Sequence, residues 1–313
     1  MRLFFATDIH GSETCWRKFL NSGRHYEADV LVLGGDMTGK ALVPIVDDGR
    51  GRWHATLLEN RHDLDGEEEV AQFEDAVRRR GYYPFRTDPD ELAGYEADPA
   101  AADRFFHEQM LATVERWMAL ADEKLEGTGI RAFACPGNDD QFDIDPVIEA
   151  STHVELAEGR VIDLDGYQLV SSGWANRTPW ETYREEDEPD LSKRIDEVMS
   201  QVTAPPERTI LSLHCPPYGT GLDDAPELTE DLHMKHAGHA PVPAGSTAVR
   251  EAIERFQPVL SLHGHIHEAR GNARLGKTLC INPGSSYELG ELLGAVVDLD
   301  GGKKVKNFVL TSG

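Results

Sequence analysis

The chain has 313 residues, of which 40% are hydrophobic and 28% are charged, a balance typical of a folded globular protein. Acidic residues outnumber basic residues by 56 to 31, which gives a formal net charge of −25. A protein this negative repels phosphate backbones and anionic lipids, so the charge argues against nucleic-acid binding and against attachment to a membrane surface.

The first elements predict two parallel strands. We expect an apolar strand over residues 2–7, a helix that begins after the N-cap Ser12 and ends near Tyr26, and a second strand over residues 29–33. A strand, a helix and a strand in this order indicate a right-handed crossover.

Residues 37–129 interrupt this pattern. They predict a β-hairpin around residues 48–51, a charged helix over 67–80, an aromatic loop at 82–85 and a long amphipathic helix over 99–125. We therefore predict one domain, residues 1–313, with an insertion at 37–129 made of a hairpin and helices. This insertion forms a lid over a functional site or a contact within a homo-oligomer. Its aromatic side chains either stack on a base or fill a small core; they are Trp53, Tyr82, Tyr83 and Phe85.

The sequence contains no pattern for membrane insertion or secretion, and this predicts the cellular compartment. No run of residues approaches the roughly 18–20 apolar residues of a membrane-spanning helix, and the first residues do not read as a secretion signal. The four cysteines are scattered and form no C-x-x-C pair. We expect a cytoplasmic protein with free, buried thiols.

Five apolar runs along the chain end in side chains that can bind a metal. These side chains are Asp8, His10, Asp36, Asn138, His214, His265 and His267. Ligands gather at the carboxyl ends of the strands in α/β sheets. In the D-x-H and H-x-H motifs, alternate side chains share one face if the backbone is extended. We expect all seven side chains to meet at one edge of the fold.

The residue types suggest which ions would bind there. If Asp36 bridges two ions, seven side chains make eight bonds, four to each ion, and leave room for water. Nitrogen and oxygen ligands without thiolate favour Mn, Fe, Zn or Ni over Mg or Ca. Two divalent ions would reverse the local negative charge and attract a phosphate group.

The motifs D-x-H, G-D, G-N-D, a single His and G-H-x-H, in this order, resemble those of the calcineurin-like metallophosphoesterases over nearly the whole chain outside the insertion. The resemblance implies an α/β fold, a four-layer αββα sandwich of two mixed sheets. It implies a dinuclear hydrolase of phosphate esters in which a metal-bridging hydroxide attacks phosphorus in line. It also implies two metal sites that share Asp36: the first holds Asp8, His10, Asp36 and His267, and the second holds Asp36, Asn138, His214 and His265.

The segments His214-Cys215-Pro216-Pro217, residues 172–176 and residues 282–285 are most similar to the bacterial and archaeal phosphodiesterase-like branch. This narrower resemblance implies a phosphodiester substrate, which includes a small nucleotide. The alternatives are a phosphomonoesterase acting on nucleotides or phosphoproteins, and a non-catalytic metal-binding scaffold for protein binding. A scaffold is expected to lose ligands, whereas all seven are present here.

The chain departs from the family pattern at the residue after Asn138. Many members have a His there that protonates the leaving group, whereas this chain has Asp139. A carboxylic acid donates a proton near neutral pH only if its pKa is raised, and nearby metals lower it. Asp139 is therefore either the general acid or a residue that orients a ligand. His236 and His239, which follow His214, are candidates for the missing acid; otherwise they belong to a polar loop.

Residues 34–40 also read G-x-x-x-x-G-K, the pattern of a phosphate-binding loop. The next residue is Ala41, where that loop requires Ser or Thr to hold magnesium. Pro44 and the strand pattern around it argue against the helix whose N-terminus would bind the phosphate. The motif is therefore not interpreted as a nucleotide-binding loop.

Overall fold

The computed structural model describes residues 1–229, 240–301 and 304–313. Seven α-helices lie within these ranges: α1 (Glu13–His25), α2 (Gly66–Arg79), α3 (Pro89–Ala97), α4 (Pro99–Leu125), α5 (Ile144–Glu149), α6 (Glu188–Met199) and α7 (Thr247–Phe256). The strands of the first half are β1 (Arg2–Ala6), β2 (Val30–Leu33), β3 (Leu42–Gly49), β4 (Arg52–Leu57), β5 (Asn60–Asp65), β6 (Tyr83–Thr87), β7 (Arg131–Ala134) and β8 (Val154–Leu156).

The remaining strands follow in chain order. They are β9 (Arg160–Leu164), β10 (Tyr167–Ser172), β11 (Ala175–Asn176), β12 (Glu185–Glu186), β13 (Thr209–Leu213), β14 (Asp224–Ala225), β15 (Val242–Pro243), β16 (Leu260–Leu262), β17 (Gly271–Leu275), β18 (Thr278–Asn282), β19 (Leu293–Leu299) and β20 (Val305–Ser312).

Most strands belong to two mixed sheets of six. The first sheet has the order β20-β19-β1-β2-β7-β8, in which β1, β2, β7 and β8 are parallel and β19 is antiparallel to both neighbours. The second has the order β17-β18-β16-β13-β10-β9, with four parallel strands between two antiparallel edges. The predicted crossover from β1 to β2 is present.

Alternating apolar residues stack the two sheets and their helices. In β1, Leu3 and Phe5 enter the core between the sheets, whereas Phe4 and Ala6 face the outer helices. Helices α1, α4 and α5 pack on the outside of the first sheet, and α6 and α7 pack on the outside of the second. This arrangement confirms the predicted four-layer αββα sandwich.

The insertion contains a third sheet, here called the insertion sheet, with strand order β5-β4-β3-β6. The predicted hairpin forms β3 and β4, but β5 and β6 extend it. The predicted aromatic loop at 82–85 is wrong because Tyr83–Thr87 is a strand parallel to β3. Pro84 argues against a central strand, but β6 is an edge strand, where a missing backbone donor is tolerated.

The aromatic side chains of the insertion pack against neighbouring elements. Tyr83 is buried, and Phe85 contacts Phe105 with ring centroids 5.0 Å apart. The insertion sheet and α2 enclose a small core that includes Phe73, and Trp53 packs against this core. Of the two roles considered for these residues, core packing is the one that the structure supports.

Helix α4 leaves the insertion and joins the sandwich. The rings of Trp16 and Trp117 stack at 5.2 Å, and Trp117 Nε1 donates to Glu13 Oε2 at 2.7 Å. Such aromatic pairs add about 0.5–1.5 kcal/mol beyond the area they bury. The second half of α4 is thus part of the outer layer of the first sheet.

All four cysteines are buried and free. Across the described ranges, no helix is long and apolar enough to cross a membrane.

Candidate metal centre

The loops after β1 and β2 bring their polar side chains inward by leaving the extended conformation. Asp8, His10 and Asp36 have φ angles of +52°, +37° and +48°, and His265 has +67°. The condition of an extended backbone in the D-x-H motif is therefore not met, although its side chains do converge. The two loops are joined by hydrogen bonds from Asp8 N to Gly35 O (2.9 Å) and from His10 N to Asp36 O (3.0 Å). Left-handed backbone at non-glycine residues is uncommon and persists only where the surrounding structure holds it in place.

The first group of side chains comprises Asp8, His10 and His267. Their ligating atoms all lie within 4.8 Å of one another. The Nε2 atoms of His10 and His267 are 3.1 Å apart, and His267 Nε2 is 3.4 Å from Asp8 Oδ1. The rings of both histidines contact the ring of Tyr287.

The second group comprises Asp36, His214 and His265, whose ligating atoms also lie within 4.8 Å of one another. Asn138 joins this group, since its Oδ1 lies 2.8 Å from His265 Nδ1. Asp36 lies between the two groups, with Oδ2 3.4 Å from His214 Nε2 and 3.7 Å from His10 Nε2. The structure therefore brings together all seven side chains that the sequence singled out.

Close backbone approach makes this convergence possible at two glycines. A Cβ atom at Gly35 would lie 2.1 Å from His214 Nδ1, and one at Gly137 would lie 2.2 Å from Asp36 Oδ1. Both distances are far below van der Waals contact, so any other residue would displace a candidate ligand.

The donor atoms fit a metal ion. His214 is completely buried, its Nδ1 lies 3.0 Å from Gly34 O, and its Nε2 has no hydrogen-bond partner. When the ring is neutral, the hydrogen bond at Nδ1 leaves the lone pair on Nε2, which lies 3.4 Å from Asp36 Oδ2. Buried polar atoms without partners are rare and costly, and a cation near Nε2 would satisfy this one. Imidazole nitrogens with carboxylate and amide oxygens are a donor set for first-row divalent metals.

The two aspartates give the centre a field that favours positive charge. Burial raises the pKa of Asp36, but the neighbouring His214 outweighs this and holds the pKa well below its usual range. Burial lowers the pKa of His214, whereas the carboxylates of Asp36 and Asp8 raise it to about 10. Buried carboxylates that remain ionised need cations beside them; the protonated ring of His214 is one such cation, and a divalent metal bound to Nε2 would take the place of its proton.

Asp139 pairs with Lys40, the lysine of the G-x-x-x-x-G-K pattern. Lys40 Nζ lies 2.9 Å from Asp139 Oδ2, and the lysine side chain is half exposed. Burial and the charge of Asp36 raise the pKa of Asp139 to about 6, against the lowering effect of Lys40. Lys40 was missed as a site residue because its proximity to Asp139 depends on the path of the chain after Asp36.

His236 and His239, the other candidates for a general acid, lie outside the described residues. His263 is buried, and its Nδ1 lies 2.8 Å from the backbone oxygen of Leu213.

Asp140 supports the centre and was not singled out from the sequence. It is fully buried and accepts hydrogen bonds from the backbone nitrogens of Met37, Thr38 and Gly137 at 2.7–3.1 Å. These bonds connect the loop that carries Asp36 with the loop that carries Asn138. The available signal in the sequence was the second of the two adjacent aspartates in G-N-D-D. This residue, Asp140, faces the loop backbone and not the candidate ligands.

Exposed aromatic side chains lie on a loop that contacts the second group, and here they are called the exposed aromatic surface. Asn138 Nδ2 donates to Thr182 Oγ1 at 2.8 Å, which ties the loop after β11 to the centre. Trp180 and Tyr183 on that loop are 59% and 50% exposed, and Phe142 is 49% exposed. The aromatic residues singled out from the sequence lie in the insertion, whereas the exposed Trp180 and Tyr183 lie on this other loop.

Comparisons with known proteins give a distant relationship. No family profile matches the chain. A segment of 150 residues is 27% identical to the uncharacterized protein MJ1162 of Methanocaldococcus jannaschii, and this match covers 47% of the chain and 61% of that relative. The chain thus spans less than two thirds of the curated relative that it matches.

Two solved structures resemble the chain over their whole length. The protein TT1561 of Thermus thermophilus superposes with a TM-score of 0.50 at 14% identity, over 100% of this chain and 97% of that one. A structure described as a novel archaeal phosphodiesterase superposes with a TM-score of 0.41 at 11% identity, over 99% and 100%. The first likeness concerns the fold alone, and the second is too weak to support a conclusion about this chain.

The fold is the one that the resemblance to the calcineurin-like metallophosphoesterases implies, and that prediction is confirmed. The buried aspartates and histidines at its edge form a candidate site for divalent metal.

Proposed function

We propose that this chain is a calcineurin-like metallophosphoesterase that hydrolyses phosphodiesters. One observation carries the proposal. Seven nitrogen and oxygen ligands from five separate loops converge, and Asp36 lies within 3.7 Å of a histidine of each group. A carboxylate shared in this way suits a pair of metal ions, and paired ions are typical of enzymes that cleave phosphate esters.

Two divalent ions of Mn, Fe, Zn or Ni type are the proposed cofactors. Asp8, His10 and His267 would hold one ion, Asn138, His214 and His265 would hold the other, and Asp36 would contact both. When bound, such ions lower the pKa of water and neutralise negative charge that develops on phosphoryl oxygens.

The residues around the centre support a diester over a monoester. At neutral pH a monoester is a dianion, whereas a diester is a monoanion. The ion pair of Lys40 and Asp139 is neutral as a whole. It therefore adds no net positive charge to that of the metals, and the second negative charge of a monoester would have no extra partner. Lys40 holds Asp139, which orients the loop next to Asn138. Of the two roles considered for Asp139, we propose that of a positioning residue ahead of that of a general acid.

We propose that the substrate is a small organic phosphate ester, which includes a nucleotide. The exposed rings of Trp180 and Tyr183 lie on the loop that bonds Asn138 through Thr182. Flat apolar surfaces next to a phosphate site suit an aryl group or a nucleobase, since offset stacking on aromatic rings is favourable.

The chain is proposed to be a single domain in which the insertion at 37–129 shapes one wall of the site. Gly39 N donates to Tyr83 OH at 2.7 Å, so the insertion sheet holds the segment that connects Asp36 to Lys40. This contact favours a lid or wall role over a contact between copies.

The test is hydrolysis of bis(p-nitrophenyl) phosphate and of p-nitrophenyl phosphate. Protein stripped of metal is refilled separately with Mn, Ni, Zn or Mg, and Asp36→Asn is assayed beside the wild type. The matched control is Asp224→Asn, which makes the same chemical change in β14, outside the metal groups. Metal content per chain is measured on the same samples.

We expect faster diester hydrolysis that depends on refilled metal, survives in Asp224→Asn and disappears in Asp36→Asn. Faster monoester hydrolysis with the same dependence would replace the diester proposal by the phosphomonoesterase alternative. Two bound metals without turnover of either ester would contradict the enzyme and favour the scaffold.

A further inference from the structure

A cleft of about 880 Å³ lies between the insertion and the sandwich, lined by α1, the end of α2, the start of β6 and the middle of α4. It is separate from the candidate ligand side chains, although its wall includes Gly11, the residue after His10. Cavities of this size are large enough to hold a small molecule.

The charge of the cleft is opposite to that of the rest of the protein. Four arginines line it, namely Arg17, Arg78, Arg79 and Arg116, against two acidic residues, Glu13 and Asp75. In the whole chain, by contrast, acids outnumber bases by 56 to 31. A local excess of guanidinium groups on a protein of net charge −25 creates a place where an anion is attracted.

Two of the four arginines are already neutralised. Arg17 Nη2 lies 2.8 Å from Glu13 Oε1, and Arg78 Nη1 lies 3.4 Å from Asp75 Oδ1. These pairs account for both acidic residues of the lining.

The other two arginines have free donors. Within the described residues, neither Arg79 nor Arg116 has a carboxylate in ion-pair distance. Arg116 donates to Ala112 O at 3.0 Å and to Thr113 Oγ1 at 2.9 Å. A guanidinium has five N–H donors, so three remain for a ligand.

We propose that this cleft is a second binding site, which takes a small anion with more than one phosphate group. Guanidinium groups bind phosphate with paired hydrogen bonds, and two arginines with free donors on different helices, α2 and α4, suit more than one phosphate better than a single one. The ligand bridges α2 of the insertion and α4 of the sandwich. Helix α1 holds both walls in place, because Ser12 Oγ donates to Arg79 O at 2.6 Å and Trp117 Nε1 donates to Glu13 Oε2 at 2.7 Å.

The experiment measures binding of inorganic triphosphate, in excess magnesium, to the full metal-loaded protein by isothermal titration calorimetry. Arg79→Ala and Arg116→Ala each remove one free guanidinium of the cleft. Arg274→Ala is the matched control, since Arg274 is exposed on β17 and outside the cleft. Asp36→Asn reports on triphosphate bound at the candidate metal centre instead. Thermal unfolding of each variant shows that it is folded, and Arg→Gln replaces any alanine variant that is not.

We expect each cleft variant to weaken binding on the order of tenfold, or ~1.4 kcal/mol, because it loses hydrogen bonds between charged groups. Arg274→Ala and Asp36→Asn should leave the affinity within about twofold. Equal weakening in Arg274→Ala would mean unspecific attraction, and loss of binding in Asp36→Asn alone would assign the triphosphate to the metal centre. Either result, or no binding to the wild type at millimolar triphosphate, would overturn the proposal. None of these readouts depends on hydrolysis, so the cleft and the proposed phosphoesterase activity fail independently.

Discussion

The candidate metal centre and the insertion sheet are both small buried clusters, but opposite forces hold them. The centre is made of charged and polar side chains that burial alone would destabilise. Its loops are held by backbone hydrogen bonds and by the carboxylate of Asp140. The insertion sheet and α2 enclose apolar side chains, among them Ile45, Val70 and Val77, each at most 5% exposed.

This difference separates function from stability within one chain. The insertion sheet gains free energy by removing apolar surface from water, about 25 cal/mol for each Å². The candidate metal centre gains little free energy from apolar burial, and its buried carboxylates, Asp8 and Asp36, need a positively charged partner. A change in the centre should therefore alter metal binding and hydrolysis, whereas a change in the insertion core should alter the free energy of unfolding.

The largest effect is expected at His214. Replacement by alanine removes a buried imidazole whose Nε2 lies 3.4 Å from Asp36. Loss of residues that merely orient metal ligands costs about 10–100-fold in activity or metal affinity, so loss of a ligand should cost more, on the order of 1,000-fold in turnover of bis(p-nitrophenyl) phosphate. Metal content per chain should fall in parallel. His25→Ala is the control, because His25 is exposed at the end of α1; unchanged turnover in His214→Ala would remove His214 from the proposed ligands.

The next effect concerns the insertion core. Phe73 is 7% exposed between α2 and the insertion sheet. Phe73→Ala should lower the free energy of unfolding by about 3 kcal/mol, the low end for Phe→Ala, because the side chain lies near the surface. Urea denaturation measures this change. Leu58→Ala, at a side chain 50% exposed in the same sheet region, should cost less than about 0.5 kcal/mol.

The same Phe73→Ala protein also tests the separation of the two regions. If the insertion sheet only forms a wall, diester turnover of the folded variant should stay within about threefold of wild type, a change of less than ~1 kcal/mol in the barrier. A loss as large as that of His214→Ala would show that the insertion core holds the metal ligands in place.

The contrast between the regions also explains what could be predicted from the sequence. All seven candidate ligands were identifiable because Asp, Asn and His follow five separate apolar runs, and the order of their motifs resembles one family. The sandwich followed from alternating apolar strands such as β1 and from that resemblance. The path of the backbone was not predictable: Asp8 and His10 adopt positive φ angles because the loops bond to each other across the sheet.

The insertion was harder to predict because its signals are weak. β5 reads Asn-Arg-His-Asp-Leu-Asp, which has almost no apolar alternation, and it forms only because β4 lies beside it. β6 contains Pro84, which is tolerated at the edge of a sheet. Lys40 and Asp140 were missed for a related reason, since their partners lie about 100 residues away along the chain.

A smaller effect is expected from the Lys40–Asp139 pair. Lys40→Ala leaves the Asp139 carboxylate unpaired near the bound phosphate and should lower kcat/KM for the diester about tenfold, which corresponds to ~1.4 kcal/mol. The double variant Lys40→Ala with Asp139→Asn removes the unpaired charge and should recover most of that loss. Steady-state kinetics of the three proteins measure this. If the double variant stays as slow as Lys40→Ala, Lys40 itself contacts the substrate.

The smallest effect is expected at Trp180, which is 59% exposed two residues before Thr182, the partner of Asn138. If its ring stacks on an organic group of the substrate, Trp180→Ala should raise KM for bis(p-nitrophenyl) phosphate about threefold, or ~0.6 kcal/mol, and leave kcat unchanged, because stacking binds substrate and transition state alike. The KM for methyl p-nitrophenyl phosphate, which has one aryl group, should rise less.

Val309→Ala, at an exposed side chain of β20, controls for unspecific effects of lost apolar surface. An equal rise in KM for both esters would mean that the loop acts through Asn138 and not through stacking, and the exposed aromatic surface would then carry no information about the substrate.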